Sequence, residues 1–333
     1  MAGSVRRIQL VGGSTYIVSL PKEWVETHRL GKGSQVIVST LPDGSLLIKP
    51  LAGGERPERR AVVEARGGYG RLLRAVISSY IAGARVIEVR YSVEQHETVM
   101  EVVSQISRIL LGVEMLDSEP GLVRLYSVLD DYAVSFSDAY AKMRRGVEGM
   151  LESLTRGLEE DNKVLIMATI ERDDLVDRLY LYLARQMTRA LLEGRATQVL
   201  GISSAAEAPY IFLALKSMER IGDHATIIAR IALSSGLTPL KPHLGIVREV
   251  ASMVHRATGL LPGSGTVEEA QDTADKASAI RRRVRELRDR SRRLPEVRAL
   301  DSMERIAGYT QDMAEAVINI ASIRASIGRD SNP

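Results

Sequence analysis

The chain of 333 residues has no cysteine, an absence that removes disulfides, zinc fingers and thiol catalysis together. A bound metal must then be held by carboxylates, histidines or water. Aromatic residues are scarce, at 4% of a composition that is otherwise ordinary for a soluble globular protein, 45% hydrophobic and 26% charged. No apolar run approaches the roughly 20 residues that a membrane span needs, and no signal peptide precedes the first strand. By elimination the sequence predicts a cytoplasmic protein without a membrane span. The chain is long for one core, so two or three domains are expected. Net charge is only +3, but the first 50 residues carry six basic and three acidic groups, whereas residues 131–240 carry thirteen and fifteen. A basic end of this kind permits contact with nucleic acid without requiring it.

Residues 1–52 read as β-β-α-β-β. The runs "RRIQLV" and "TYIVSL" flank the turn signal "GGS", and "PKEWVETHRL" opens on Pro21 at a helix start and stops at Gly31. "SQVIVSTL" and "SLLIKP" flank a second turn, "PDG". So small a piece, with no disulfide or metal, cannot bury a sufficient core alone, and pairing with a second copy is the expected remedy. Trp24 and His28 on the short helix read as packing or capping residues.

After the polar linker "GGERPERR", residues 55–130 alternate strand, helix, strand, helix and two final strands, which predicts a small α/β sheet domain. "GGYG" at 67–70 reads as a plain tight turn rather than an anion cradle, and His96 as solvated. No nucleophile–base set appears, and no catalytic residue is predicted.

From residue 131 strand signals vanish. Helical periodicity runs through three segments, breaks at "SGLTPLKPHLG", and runs through three more. The third segments of the two halves contain "ALKSMERI" and "ALDSMERI", seven of eight identical, and "MERIGDHA" at 218–225 returns as "MERIAGYT" at 303–310. Tandem three-helix bundles over 131–236 and 243–328 are the expected arrangement.

Asp173 and Asp177 are four apart on the second helix, Glu219 and Asp223 four apart on the third. Residues at that spacing share a helix face, so two such helices in contact would bring four carboxylates together. A hard cation held by oxygens would relieve their repulsion: iron, magnesium, manganese or, less readily, zinc. His224 points about 100° away from Asp223 and is not expected to be a ligand. The alternative is that these acids are solvent-facing partners of Arg172, Arg178 and Arg220.

In the second repeat Glu304 matches Glu219, but Gly308 replaces Asp223 and Tyr309 replaces His224. Asp275 has only Ala279 four residues on, and Asp312 is a poor substitute. The second site is therefore expected to be lost or much weakened. "RRRVRELRDRSRR" at 281–293 holds eight arginines and an apolar seam of Ile280, Val284, Leu287 and Leu294, which makes it a bundle helix with a basic face.

The order of "GGST", "SLPKEWVE" and "RLGKGSQVIV" resembles the AbrB/SpoVT/MazE DNA-binding family. That resemblance implies a barrel of hairpins swapped between two chains, with Arg6, Arg7, Gln9, Ser14, Thr15 and Lys22 facing DNA. "ERDDLVDRL" and "SMERIGDHATIIA" resemble the paired acidic helices of PhoU proteins. This second resemblance implies metal binding by Asp173, Asp177, Glu219 and Asp223.

Together they resemble archaeal PhoU-type regulators with an AbrB-like domain, and imply a mainly α, multidomain, phosphate-responsive regulator of phosphate uptake. One alternative is a non-transcriptional adaptor on a phosphate transporter ATPase or sensor kinase, with the barrel used only for dimerisation. A di-metal enzyme is disfavoured, because no Glu-x-x-His pair occurs in the bundles.

Overall fold

A computed structural model describes residues 5–40, 44–51, 59–261 and 265–330. Pro42 and Asp43 of the "PDG" turn, and most of the linker "GGERPERR" and of the "PGSG" interruption, lie outside the described residues. The chain divides into two compact units, residues 1–57 and 58–333.

In the first unit β1 (Gln9–Val11) pairs antiparallel with β2 (Thr15–Ile17), Val11 opposite Thr15. The turn between them holds Gly12 and Gly13 at φ +63° and +80°, a conformation that side chains with a Cβ resist. Helix α1 (Lys22–Thr27) follows Pro21, and β3 (Val36–Thr40) pairs antiparallel with β4 (Leu46–Pro50). The β-β-α-β-β order is the expected one, but within one chain the strands form two separate hairpins rather than a closed barrel. None of the unit's described residues is buried; Tyr16 is 74% exposed and Leu10 56%.

The second unit begins with a four-stranded sheet. Its elements are β5 (Arg60–Glu64), α2 (Tyr69–Ile81), β6 (Val86–Arg90), α3 (His96–Ile109), β7 (Val113–Glu119) and β8 (Leu122–Ser127). Strand order is β5-β6-β8-β7, with the pair joined through α2 parallel and the others antiparallel. A β-α-β crossover enforces the parallel pair, and the tight β7–β8 turn enforces the antiparallel one. Val76, Tyr80, Val89, Ile106 and Leu125 form the sheet's own core. Gly67 and Gly68, both at positive φ, turn the chain into α2 as a plain turn. His96 packs its ring against Tyr91.

The helical part comprises α4 (Phe136–Glu159), α5 (Lys163–Leu192), the short α6 (Ala196–Leu200), α7 (Ala208–Ser235), α8 (Leu244–Gly259), α9 (Val267–Arg290) and α10 (Leu294–Asp330). Its boundaries follow side-chain caps. Ser135 accepts from the Asp138 amide, Asn162 from the Val164 and Leu165 amides, and Thr266 with Glu269 closes a capping box. Helices α4, α5 and α7 form one trio and α8, α9 and α10 the other, as the repeat predicts. One continuous core runs through both, from Phe136 and Met150 through Met218 to Met303 and Ile306. Glu207, before α7, pairs with Arg324 late in α10, and the His224 ring faces Tyr309, so α7 and α10 run antiparallel.

Two features were not expected from the pattern: α6, and a 3-10 turn at Thr238–His243 within the break between the repeats. Leu294 is 68% exposed and opens α10, so it does not belong to the apolar seam of α9; Ile280 and Val284 do. Buried Arg185 of α5 ties the sheet to the bundles, donating to the Tyr80 and Ala84 carbonyls and pairing with Asp131. Among the described residues no helix is long and apolar enough to cross a membrane.

Candidate metal centre

The acidic pairs lie on the facing sides of α5 and α7. Oxygens of Asp173, Asp177 and Asp223 stand within 4.8 Å of one another. Gly222 lies at this contact, where a Cβ would stand 3.4 Å from Asp173 Oδ1, an ordinary van der Waals distance. Glu219 sits at the edge of the cluster. One of its oxygens accepts from the Lys216 ammonium, and its Oε2 is buried without a hydrogen-bond partner.

Asp173 Oδ1 and Asp177 Oδ1 are also buried without partners. Burial, and then the neighbouring Asp223 charge, push the Asp173 carboxyl up to about 6. Burial and the charges of Asp173, Glu219 and Asp223 push Asp177 up to about 7.

The arginines next to these acids in sequence do little to neutralise them. Arg172 turns to the Gly149 carbonyl at 2.8 Å and the Ser153 hydroxyl, on α4. Buried Arg178 Nε has no partner. Only Arg220 reaches the cluster, 3.3 Å from Asp223 Oδ2 and 3.7 Å from Glu219 Oε2. Half-buried oxygens that lack donors, drawn from carboxylates alone, fit a hard cation of the magnesium, manganese or iron kind, with Asp173, Asp177 and Asp223 as holders and Glu219 beside them. His224 is outside the cluster; its ring lies 5.9 Å from that of Tyr309.

The second repeat is rebuilt. Glu304, only 8% exposed, accepts from Arg285 at 2.7 and 3.0 Å and from Arg288, both on α9. Arginines therefore surround the one acid that survives from the first repeat. Arg281, Arg285 and Arg288 follow each other by four and three residues on one face of α9, a spacing that marks them as partners for Glu304 and that went unread in the sequence. Arg283 pairs with Glu249 of α8, so three arginines of the basic run, Arg283, Arg285 and Arg288, hydrogen-bond to acids of neighbouring helices.

In the first unit Arg6, Arg7, Gln9, Ser14, Thr15 and Lys22 are all exposed. Gln9 and Thr15 lie on the two paired strands of the first hairpin, and Lys22 opens α1, 3.6 Å from Glu26. Trp24 and His28 pack on each other, with the His28 ring nitrogen donating to the Trp24 carbonyl at 2.8 Å.

Residues 140–232 match the family model of the PhoU domain, and residues 9–56 match that of the antidote-toxin recognition MazE family of bacterial antitoxins. No curated protein matches the chain. The PhoU match spans α4 to α7, so it includes all four acids of the first repeat and ends before the second. The chain is thus similar over residues 9–56 to the MazE family and over residues 140–232 to the PhoU domain.

Proposed function

We propose that the chain is a cytoplasmic, non-catalytic regulator of phosphate uptake. In this reading residues 1–52 pair two copies and bind DNA, residues 55–130 form a connecting sheet domain, and residues 131–328 relay phosphate status. The observation that carries it is the convergence of Asp173, Asp177 and Asp223, with Asp173 Oδ1 and Asp177 Oδ1 buried without donors. Bound there, a hard cation would neutralise the acidic faces of α5 and α7 and so favour their close packing.

Pairing through the first unit is supported by its lack of any buried described residue, since two hairpins of this size need a partner surface to form a core. Arg6, Arg7 and Lys22 would neutralise phosphates, with Ser14 and Thr15 as hydroxyl donors and Gln9 within reach of a base edge. A change in bundle packing that reoriented paired barrels would alter DNA affinity.

Gel-shift titration of the promoter regions of phosphate-transport genes tests the reading. A sequence-preferring complex that Arg7→Ala weakens, with a salt slope reduced by about one, is expected. Binding without sequence preference at every salt concentration would instead favour the adaptor that docks on a transporter ATPase or sensor kinase.

A further inference from the structure

The place in the second repeat that corresponds to the carboxylate cluster is a cavity of about 370 Å³ between α9 and α10. Arg281 and Arg288 enter it from α9 and Arg305 from α10, with Gly308 where the first repeat has Asp223. Both Glu304 oxygens are taken by Arg285 and Arg288, so Glu304 is a fixed anchor rather than a ligand. It holds Arg288, which also stands 3.6 Å from Asp301, and leaves Arg281 and Arg305 without a hydrogen bond to a carboxylate among the described residues. Arg281 lies 3.8 Å from Glu304, beyond hydrogen-bond reach, and Arg305 forms no ion pair among the described residues. A Cβ on Gly308 would stand 3.8 Å from the Arg281 guanidinium carbon, so a longer side chain there would fill the space that Gly308 leaves.

Facing guanidinium forks around an open space are the donor set for a tetrahedral oxyanion. Two carboxylates complicate the wall, Asp301 and Asp312. A carboxylate repels a fully ionised anion but accepts a hydrogen bond from one that keeps a proton. Orthophosphate, whose third ionisation lies far above neutrality, keeps at least one proton at pH 7 and sulfate does not. Burial, with Glu315 adding to it, also holds the Asp312 carboxyl above its ordinary range, which lessens its repulsion.

We propose that this cavity binds orthophosphate, with Arg281 and Arg305 as donors and Asp301 or Asp312 accepting from its P–OH group. The site is separate from the carboxylate cluster and stands without it, so it goes beyond the reading above.

Calorimetric titration of the chelator-treated full chain with orthophosphate, in a phosphate-free buffer, tests the site. One site per chain is expected, weakened about tenfold or more by Arg281→Ala and by Arg305→Ala. Sulfate should not displace phosphate from the wild type, and should do so in Asp312→Asn. At pH 8 phenyl phosphate, a dianion without a P–OH group, should bind more weakly than orthophosphate, and tighter binding would overturn the role given to the two acids. Gly308→Asp, which restores the residue of the first repeat, should abolish binding while leaving the circular dichroism spectrum unchanged; it covers the case in which an arginine variant fails to fold. Absence of binding up to about 10 mM phosphate would overturn the proposal. So would equal competition by sulfate in the wild type, or affinity unchanged in both arginine variants. Binding that survives chelation but lacks any DNA counterpart would retain this site and remove the regulator reading alone.

Discussion

At the scale of residues, Asp177 carries the sharpest electrostatic consequence. Its carboxyl is held near 7 in the folded protein, against an ordinary value near 4, so the fold disfavours its charged form. The penalty is absent below pH 4, grows as pH rises from about 4 to 7, and is complete above 7. Metal-free protein should therefore lose thermal stability across that window, and Asp177→Asn should flatten the loss. Because the group is partly solvated, the gain at pH 8 is set at about 1–2 kcal/mol, well under the full shift. Melts at stepped pH in chelator check this. The i, i+4 spacing was enough to place Asp173, Asp177 and Asp223 on facing helix sides. Burial of their oxygens and the diversion of Arg172 to α4 depend on neighbouring helices, which spacing alone does not encode. Lys216, which claims one oxygen of Glu219, is likewise a contact visible only in the folded helix.

At the scale of elements, the close pairing of α4 with α5 depends on Gly157. A Cβ there would lie 2.6 Å from Ile166 Cδ1 and 3.1 Å from the Asn162 carbonyl. Ile166 is fully buried and cannot easily yield. Gly157→Ala should destabilise the protein by about 1–3 kcal/mol, read as a lowered urea midpoint with unchanged slope. The long helices were legible because their apolar period persists over several turns and their ends carry caps at Asn162 and Thr266. Helix α6 has five residues, too few to show a period, although the Ser204–Glu207 capping box after it was a readable start signal. Glu207 then turns inward to Arg324, a long-range pairing that no local pattern announces.

At the scale of the whole molecule, the first unit exposes Leu10, Tyr16, Ile17, Val38 and Leu46, a set that a second copy would cover. Leu10→Asp in the full chain should convert a dimer to a monomer in light scattering at micromolar concentration, with the helical signal retained. A wild-type monomer, or a variant that remains dimeric, would count against pairing through this unit. The β-β-α-β-β order was legible from turn chemistry, whereas pairing is the proposal that the small size of the piece and its exposed apolar side chains support. The repeat itself was plain from "MERIGDHA" and "MERIAGYT". What it concealed was replacement: the second repeat exchanged carboxylates for a guanidinium shell around Glu304.

Elemental analysis of purified chain after incubation with magnesium, manganese or iron(II) and gel filtration tests the central claim most directly, that α5 and α7 converge on a cation. Bound metal is expected in the wild type and in Glu304→Gln, and should be absent from Asp173→Ala/Asp223→Ala. Equal metal in the wild type and the double variant, or loss in Glu304→Gln alone, would contradict it.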